Sequence, residues 1–220
     1  MKTDLTHEYL LDILNPRDDQ GKRKTALLQA TFDVIAEVGF EGLRTRSVAE
    51  RAAVNVATLH YYFPSKQELI EGLAQFLGAK FVSLHGLAPV PSGYRAVDRL
   101  RQEFSDGRYY SEEEPKMLLV MEELRLRGKR DAEVRKVVET MYGYWRMNLK
   151  QMVVGGIADG TFRKDLDTEE VLGMLMSMFS GSSICCGSEL EAMQRGIERW
   201  LLSDEVWKAT RGEGDERAES

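Results

Sequence analysis

The chain has 220 residues, of which 43% are hydrophobic and 30% charged, and its formal net charge is −6. This length allows a sizeable buried core and suits one large or two small domains. The first residues lack a basic start and a long apolar core, so no signal peptide is evident, and the weakly charged run 171–188 is interrupted by glycines and serines, so it is not a convincing membrane span. We therefore expect a cytoplasmic protein without a membrane partner.

The charge is unevenly distributed along the chain. The stretch 21–66 contains seven Lys and Arg residues against four Asp and Glu residues, which gives +3 there and leaves −9 for the remainder. One basic face on an acidic body is typical of a protein that binds phosphates on one side. The two cysteines, Cys185 and Cys186, are adjacent, so they cannot staple distant parts of the fold. We interpret them as small core residues, with a redox-sensing role as the alternative.

Residues 1–20 are an N-terminal extension in our interpretation, either one extra helix or a mobile arm. The cluster RDDQGKRK that follows is predicted to be a hinge. The first firm helix is predicted over 24–38, because apolar residues recur there at helical spacing, and Gly39 is predicted to terminate it.

The stretch 42–66, GLRTRSVAERAAVNVATLHYYFPSK, has the spacing of two short helices that cross at a steep angle. The first helix is predicted to begin at Thr45 or Ser47, and Ser47 starts an S-x-x-E capping box. Asn55 is the predicted N-cap of the second helix, and Pro64 is predicted to stop it, because proline disfavours helical geometry in the preceding residue. The inward face is apolar and consists of Val48, Ala49, Ala52, Val54, Leu59 and Phe63.

This pattern is a helix-turn-helix, whose second helix enters the major groove of DNA while the first crosses the backbone. The outward residues of the second helix contribute nothing to a core and are short enough to permit close approach. Thr58 and Val56 are suited to a thymine methyl, and Arg46 is suited to reading a guanine. Pairs of short amphipathic helices also occur in domains that never bind DNA, so the helix pattern alone leaves both interpretations open.

A more specific signal is the ordered set Thr45, Arg46, Val48, Ala49, Val54, Thr58, Leu59, Tyr61, Phe63 and Lys66. Over about residues 22–70 this set closely resembles the DNA-binding module of the tetracycline-repressor (TetR) family of bacterial regulators. The resemblance implies base or phosphate contacts at Thr45, Arg46, Val56, Ala57, Thr58, His60, Tyr61, Tyr62 and Lys66.

Two residues depart from the pattern of that family. Ala53 occupies a turn position where the family commonly has glycine, and His60 replaces the first tyrosine of a Tyr-Tyr pair. If the backbone at Ala53 is left-handed, its side chain costs about 1 kcal/mol. At position 60, histidine in place of tyrosine changes the DNA contact that the resemblance implies.

Beyond residue 66 the chain is predicted to be helical, with a break at 87–93 (LAPVPSG). Helices are predicted from Lys66 onward and at 94–105, 116–126, 132–158, 168–186 and 190–202. The charged segment 209–220 lacks a core pattern, so we predict a disordered tail. The predicted fold class is all-α: an N-terminal three-helix helix-turn-helix DNA-binding domain at 21–66 is joined to a C-terminal helical-bundle ligand-binding and dimerisation domain at 67–208.

The body of the chain is rich in methionine and aromatic residues. Packing is the default interpretation, but ten methionines also suit a pocket that adapts to apolar or flat molecules. The resemblance implies an effector pocket for a small apolar or aromatic molecule. Our hypothesis is that its lining includes Phe104, Met121, Tyr142, Trp145 and Met176.

The last two predicted long helices combine apolar area with a slim segment of glycines and serines. Packing within the chain is one interpretation of this surface. The resemblance favours a homodimer, because paired modules match a palindromic site. The interface residues are then expected to be Leu172, Leu175, Phe179, Met193, Ile197, Trp200 and Leu201.

The resemblance implies a ligand-responsive transcriptional regulator. We expect a repressor that binds a palindromic double-stranded DNA operator as a dimer and is released by a small-molecule effector. The alternatives are an activator without small-molecule control and a DNA-tethered interaction protein. An enzyme, a metal site and a cofactor are not expected, because phosphate-loop, H-E-x-x-H and G-x-S-x-G motifs are absent and His7, His60 and His85 show no metal-binding spacing.

Overall fold

The structure is a computed structural model of the chain and describes residues 12–85, 95–181 and 187–215. In these ranges the β-structure is one isolated antiparallel bridge between Phe162 and Leu202. The predicted all-α fold class is confirmed. The helices are α1 Asp19–Gly42, α2 Thr45–Arg51, α3 Val56–Tyr62, α4 Lys66–His85, α5 Ala96–Glu112, α6 Pro115–Gly128, α7 Ala132–Ala158, α8 Thr168–Gly181, α9 Gly187–Leu201 and α10 Asp204–Asp215.

The chain divides into two compact units. Unit 1 comprises Met1–Pro89 and Glu114–Gly143, and unit 2 comprises Val90–Glu113 and Tyr144–Ser220. Helix α7 therefore contributes its first part to unit 1 and the remainder to unit 2. A compact unit need not fold on its own. The domain limits proposed from the sequence, 21–66 and 67–208, therefore stay predictions. Within the described residues, no helix combines the length and the apolar character that crossing a membrane requires.

Helix α1 is longer than the sequence predicted. The side chain of Asp18 caps its start by accepting a hydrogen bond from the amide of Gly21, with an oxygen–nitrogen distance of 2.6 Å, so the predicted hinge is helical. Gly39 breaks the helix, as predicted, with φ 67° and ψ 178°. The chain then forms one more turn that ends at Gly42. The buried face of α1 packs against α2, α4 and α6 and includes Leu27, Leu28, Phe32, Ile35 and Phe40.

Helices α2 and α3 form the predicted helix-turn-helix. Helix α2 begins at Thr45, one of the two predicted starts, but Arg44 holds the N-cap position and no side chain caps the helix, so the caps predicted at Thr45 and Ser47 are wrong. Val48, at 0% exposure, and Ala49 are buried, and these two residues pack α2 against its neighbours. Asn55 caps α3 as predicted, because its side-chain oxygen accepts a hydrogen bond from the backbone amide of residue 58 at 2.7 Å.

The turn between α2 and α3 contains Ala53 with φ 53°, in the left-handed region. We expect Ala53→Gly to raise the free energy of unfolding by about 0.5 kcal/mol, because relief of left-handed strain exceeds the extra chain entropy that glycine loses. Urea denaturation measures this difference. The control is Ala52→Gly, where φ is −78° and the same change is expected to destabilise. Equal signs for the two variants would contradict the strain argument.

Unit 2 has one hydrophobic core, built from α5, the second part of α7, α8 and α9. Phe104 and Phe162, both at 0% exposure, are its largest fully buried side chains. Helix α10 adds Val206 and Trp207 to this core. Helix α10 ends at Asp215, inside the segment 209–220 that was predicted to be disordered, so the predicted start of disorder at 209 is corrected.

The predicted helices of the body are present with shifted ends. Helix α5 begins two residues later than predicted and continues seven residues further, to Glu112. Helix α8 is described to Gly181, and the part predicted at 182–186 lies outside the described residues, together with Cys185 and Cys186. These shifts concern helix ends, where propensity signals are weakest.

A row of polar side chains joins α5 to α9 within unit 2. Both oxygens of the Glu198 carboxylate accept hydrogen bonds from Arg101, at 2.9 and 3.1 Å. Gln194 also donates to Glu198, at 2.9 Å, and accepts from Arg108, at 2.9 Å. Burial disfavours ionisation of Glu198, but the hydrogen bonds from Arg101 and Gln194 outweigh it, so the pKa of Glu198 lies below its ordinary value.

The lowered pKa of Glu198 predicts an acid-sensitive unit 2. The folded state binds this proton less readily than the unfolded state, so the stabilisation is complete above the ordinary glutamate pKa of 4.5 and is lost as the pH falls through the lower folded value. We expect the Glu198→Gln variant to lose less free energy of unfolding than the wild type as the pH falls. The expected difference is about 1 kcal/mol or less, because solvent screens part of the pair. Urea denaturation across this pH range measures it, with the exposed Glu191→Gln as the control. An unchanged pH profile in Glu198→Gln would contradict the prediction.

Candidate nucleic-acid interface and regulatory residues

Helix α3 presents an outward face that the core does not use. Leu59, at 1% exposure, is its one buried residue. Tyr61 is 73% exposed and Val56 is 36% exposed, and Ala57 and His60 are also exposed. Four of the predicted contact residues therefore share an accessible surface on the second helix of the motif. This is the helix that enters the major groove in helix-turn-helix proteins.

Two other predicted contact residues of α3 are half-buried. The hydroxyl of Thr58 donates to the side-chain oxygen of Asn55 at 3.0 Å, so it completes the helix cap. A contact from Thr58 to a base would therefore use its methyl group, which suits thymine. The ring of Tyr62 packs edge-on against that of Tyr61, with centroids 5.1 Å apart, which orients the exposed Tyr61 ring.

Arg46 lies in the first turn of α2, next to Thr45. Its guanidinium Nε donates to Glu50 at 3.0 Å, one helical turn along, and its side chain is 83% exposed. A solvent-exposed pair of this kind contributes little to stability. The guanidinium can therefore exchange Glu50 for a base edge or a phosphate at small cost.

Lys66 differs from the other predicted contacts, because its ammonium group is turned toward the chain. Its Nζ donates to the carbonyl oxygen of Leu43 at 3.2 Å and lies 5.9 Å from the centroid of the Phe40 ring. Burial lowers the pKa of Lys66 below its ordinary value, and the charges of Arg44 and Arg127 lower it further. Lys66 thus ties the start of α4 to the link between α1 and α2.

A long-range contact that the sequence did not predict holds the end of α1. Because Gly39 breaks the helix, the amide of Phe40 is released, and it donates to Oε2 of Glu123 on α6 at 2.8 Å. The guanidinium of Arg127, also on α6, lies 5.6 Å from the Phe40 ring centroid. The residues are more than 80 positions apart, so no local sequence signal could have indicated the pair.

The residues predicted to line an effector pocket are distributed over both units. Phe104, Trp145 and Met176 belong to the core of unit 2, whereas Met121 and Tyr142 belong to unit 1. Within unit 2, Phe179 connects the aromatic rings, with centroids 5.0 Å from Phe104 and 6.0 Å from Trp145. These rings form an aromatic cluster whose members pack on one another.

The aromatic cluster has a buried polar edge. The indole nitrogen of Trp145 donates to Glu103 at 3.0 Å, and Glu103 also pairs with Arg99 at 2.9 Å. Glu103 is 9% exposed. A molecule that enters the cluster therefore meets apolar ring faces and one compensated ion pair.

A separate cavity of about 770 Å³ lies elsewhere in unit 2 and is open to solvent. Its lining includes the apolar side chains of Phe162, Leu202 and Trp207. None of the five predicted pocket residues lines it. Within the described residues, no group of three or more His, Cys, Asp or Glu side chains is arranged to hold a metal ion.

The predicted dimer residues fall into two classes. Leu172, Leu175 and Leu201 are each 0% exposed, so their assignment to a surface is corrected: they form the core of unit 2. The sequence could not separate the two roles, because both faces of α8 are apolar. The partly exposed residues are Phe179, Met193, Ile197 and Trp200. Met174, at 53% exposure, is an exposed apolar residue of α8 that the prediction omitted.

Residues 27–73 match the family model of bacterial regulatory proteins of the tetR family. The chain is 35% identical over 82 residues to the HTH-type transcriptional repressor KstR of Rhodococcus jostii, a match that spans 37% of each chain. It is 27% identical over 177 residues to the uncharacterized HTH-type transcriptional regulator YdeS of Bacillus subtilis, spanning 80% of this chain and 84% of YdeS. The chain thus spans little more than a third of the KstR relative that it matches.

The fold is also similar to that of the transcriptional regulator FadR from Bacillus subtilis, solved in complex with stearoyl-CoA. The TM-score is 0.66 at 19% sequence identity, over 81% of this chain and 97% of FadR. The family model falls on α1 to α4, where the outward face of α3 and its Asn55 cap are found. Over this part of the chain, residues 27–73, the protein is therefore similar to the tetR family of bacterial regulatory proteins.

Proposed function

We propose that the protein is a transcriptional repressor that binds a palindromic DNA operator and releases it on binding a small-molecule effector. The observation that carries this proposal is the outward face of α3, where four implied DNA contacts are accessible and only Leu59 serves the core. The matched family and relatives are transcriptional regulators, in agreement with the prediction that the chain is not an enzyme.

The proposal includes a homodimer. One α3 helix contacts few base pairs, and two helices related by a two-fold axis would read both halves of an inverted repeat. The partly exposed apolar residues Phe179, Met193, Ile197 and Trp200, with exposed Met174, support an interface on α8 and α9. The polar row from Glu198 to Arg108 fixes which face α9 presents.

The effector is proposed to be a small apolar or aromatic molecule. The aromatic cluster of Phe104, Trp145 and Phe179 supports this chemistry, because flat or apolar groups stack on such rings. FadR, which shares the fold, holds an acyl-CoA. An effector that favours a conformation in which the two α3 helices are wrongly spaced weakens DNA binding. DNA in turn weakens binding of the effector, and by the same factor.

The test is selection of bound duplexes from a random library at near-physiological salt. We expect an inverted repeat to be enriched, and sedimentation of the protein with the selected duplex to give two chains per site. Enrichment of a single half-site by a monomer would overturn the dimer, and no enrichment above non-specific binding would overturn operator recognition. The selected duplex then serves to screen compounds for release. Recruitment of RNA polymerase at this duplex would favour the activator instead of the repressor.

A further inference from the structure

Two cations of unit 1, Lys66 and Arg127, lie over the Phe40 ring, and Arg44 shares a backbone carbonyl with Lys66; the three are called here the Phe40 cation cluster. The Lys66 ammonium and the Arg127 guanidinium lie 5.9 and 5.6 Å from the ring centroid. Arg44 and Lys66 share the carbonyl oxygen of Leu43, with nitrogen–oxygen distances of 3.4 and 3.2 Å. The three charges come from three separate parts of the chain.

Of the three cations, Arg127 is the one that forms an ion pair within the described residues, whereas the carboxylate of Glu41 acts on Lys66 from beyond ion-pair distance. Arg44 donates to the carbonyl oxygens of Glu41, at 2.7 Å, and Leu43, and Lys66 donates to Leu43 alone. Within the described residues, neither of these cations forms an ion pair with a carboxylate. Arg127 pairs with Asp131 at 3.2 Å.

Other arginines of unit 1 have a carboxylate partner at closer range. Arg46 pairs with Glu50 at 3.0 Å, and Arg125 pairs with Glu122 at 2.5 Å. The Phe40 cation cluster is therefore a place where like charges repel and an anion would relieve the repulsion. An oxyanion is well matched to it, because a guanidinium can donate two hydrogen bonds to one phosphate.

Chain order places this cluster beside the candidate interface. Arg44 directly precedes Thr45 and Arg46, and Lys66 opens α4 after the reading helix. We propose that the surface that binds the DNA backbone extends beyond the helix-turn-helix residues to Arg44 and Arg127, which hold a phosphate together with Lys66. This inference rests on the proposed function and adds a residue of α6 to the DNA contacts.

The proposal is tested by the salt dependence of binding to a fluorescently labelled duplex, measured by anisotropy. Each phosphate that a chain neutralises contributes about 0.9 to the slope of log K against log salt concentration. Because Arg44, Arg127 and Lys66 share one phosphate, we expect Arg44→Gln and Arg127→Gln each to reduce this slope measurably, by at most about 0.9 per bound chain. Arg44→Lys and Arg127→Lys are expected to keep the slope, because they keep the charge.

The control is Arg125→Gln, which removes an exposed cation of α6 that Glu122 already pairs. An unchanged slope in both Arg44→Gln and Arg127→Gln would overturn the extension while leaving DNA binding by the wild type intact. A wild type that shows no salt-dependent binding would instead overturn the proposed function. Because Arg127 also packs on Phe40, thermal unfolding of each variant separates lost charge from lost packing, and the lysine variants must restore the slope.

Discussion

Substitution of glutamate for Ala57 is expected to abolish specific DNA binding without unfolding the protein. Ala57 is exposed on the outward face of α3 and contributes nothing to the core. A carboxylate at this position would face the phosphates and base edges of the major groove, and like charges brought together at an interface cost several kcal/mol. A cost of about 3 kcal/mol corresponds to a loss of affinity of roughly 100-fold or more.

The matched control for this variant is Ala132→Glu. Ala132 is also exposed, at the first position of α7, where a carboxylate is compatible with the helix dipole. The two proteins have the same charge, so a general electrostatic effect would weaken both. Anisotropy with the selected duplex measures affinity, and circular dichroism verifies the fold. Wild-type affinity in Ala57→Glu would show that α3 does not enter the groove.

Replacing Gly39 by alanine is expected to lower the free energy of unfolding by about 1–3 kcal/mol. The backbone at this position, with φ 67° and ψ 178°, lies in a region that essentially only glycine adopts. The break is also what frees the Phe40 amide for Glu123, so a helical alanine would remove that hydrogen bond. The loss is therefore expected to include both backbone strain and one contact to α6.

The control for Gly39→Ala is Gly143→Ala. Gly143 lies inside α7, and nothing lies within 4 Å of the position that its Cβ would take. There alanine is expected to stabilise by up to about 1 kcal/mol, because it favours the helix. Urea denaturation of the two variants should thus give opposite signs. A Gly39→Ala protein as stable as the wild type would show that the break is not required.

Local chemistry in the sequence predicted the features that depend on a few neighbouring residues. The cap at Asn55, the break at Gly39 and the second-helix face around Leu59 are each determined within one or two turns of chain. The sequence raised a left-handed backbone at Ala53 only as one case to consider. That case came from the family pattern, which commonly has glycine at this position. The cap at Ser47 failed because burial of Val48 and its neighbours overrode a local capping signal.

Features that depend on distant contacts could not be predicted. The hydrogen bond from Phe40 to Glu123 joins residues 83 positions apart, and neither residue type indicates it. Hydrophobicity alone could not tell whether Leu172 and Leu201 face a core or a partner, because both environments are apolar. Helix α10 was missed because its charged residues outnumber Val206 and Trp207, which anchor it. The implied DNA contacts and the remaining pocket residues stay predictions.

The division of labour within α3 bears on how such a regulator can change its target during evolution. Six of its seven residues are not buried, and Leu59 is the one fully buried residue within the helix. If α3 contacts the bases as proposed, substitutions at its exposed positions would alter which bases are preferred while leaving the folding free energy nearly constant, since surface changes are usually within about 0.5 kcal/mol. After gene duplication, a copy could thus drift to a new operator through a series of folded intermediates, without any need for compensating changes elsewhere in the chain.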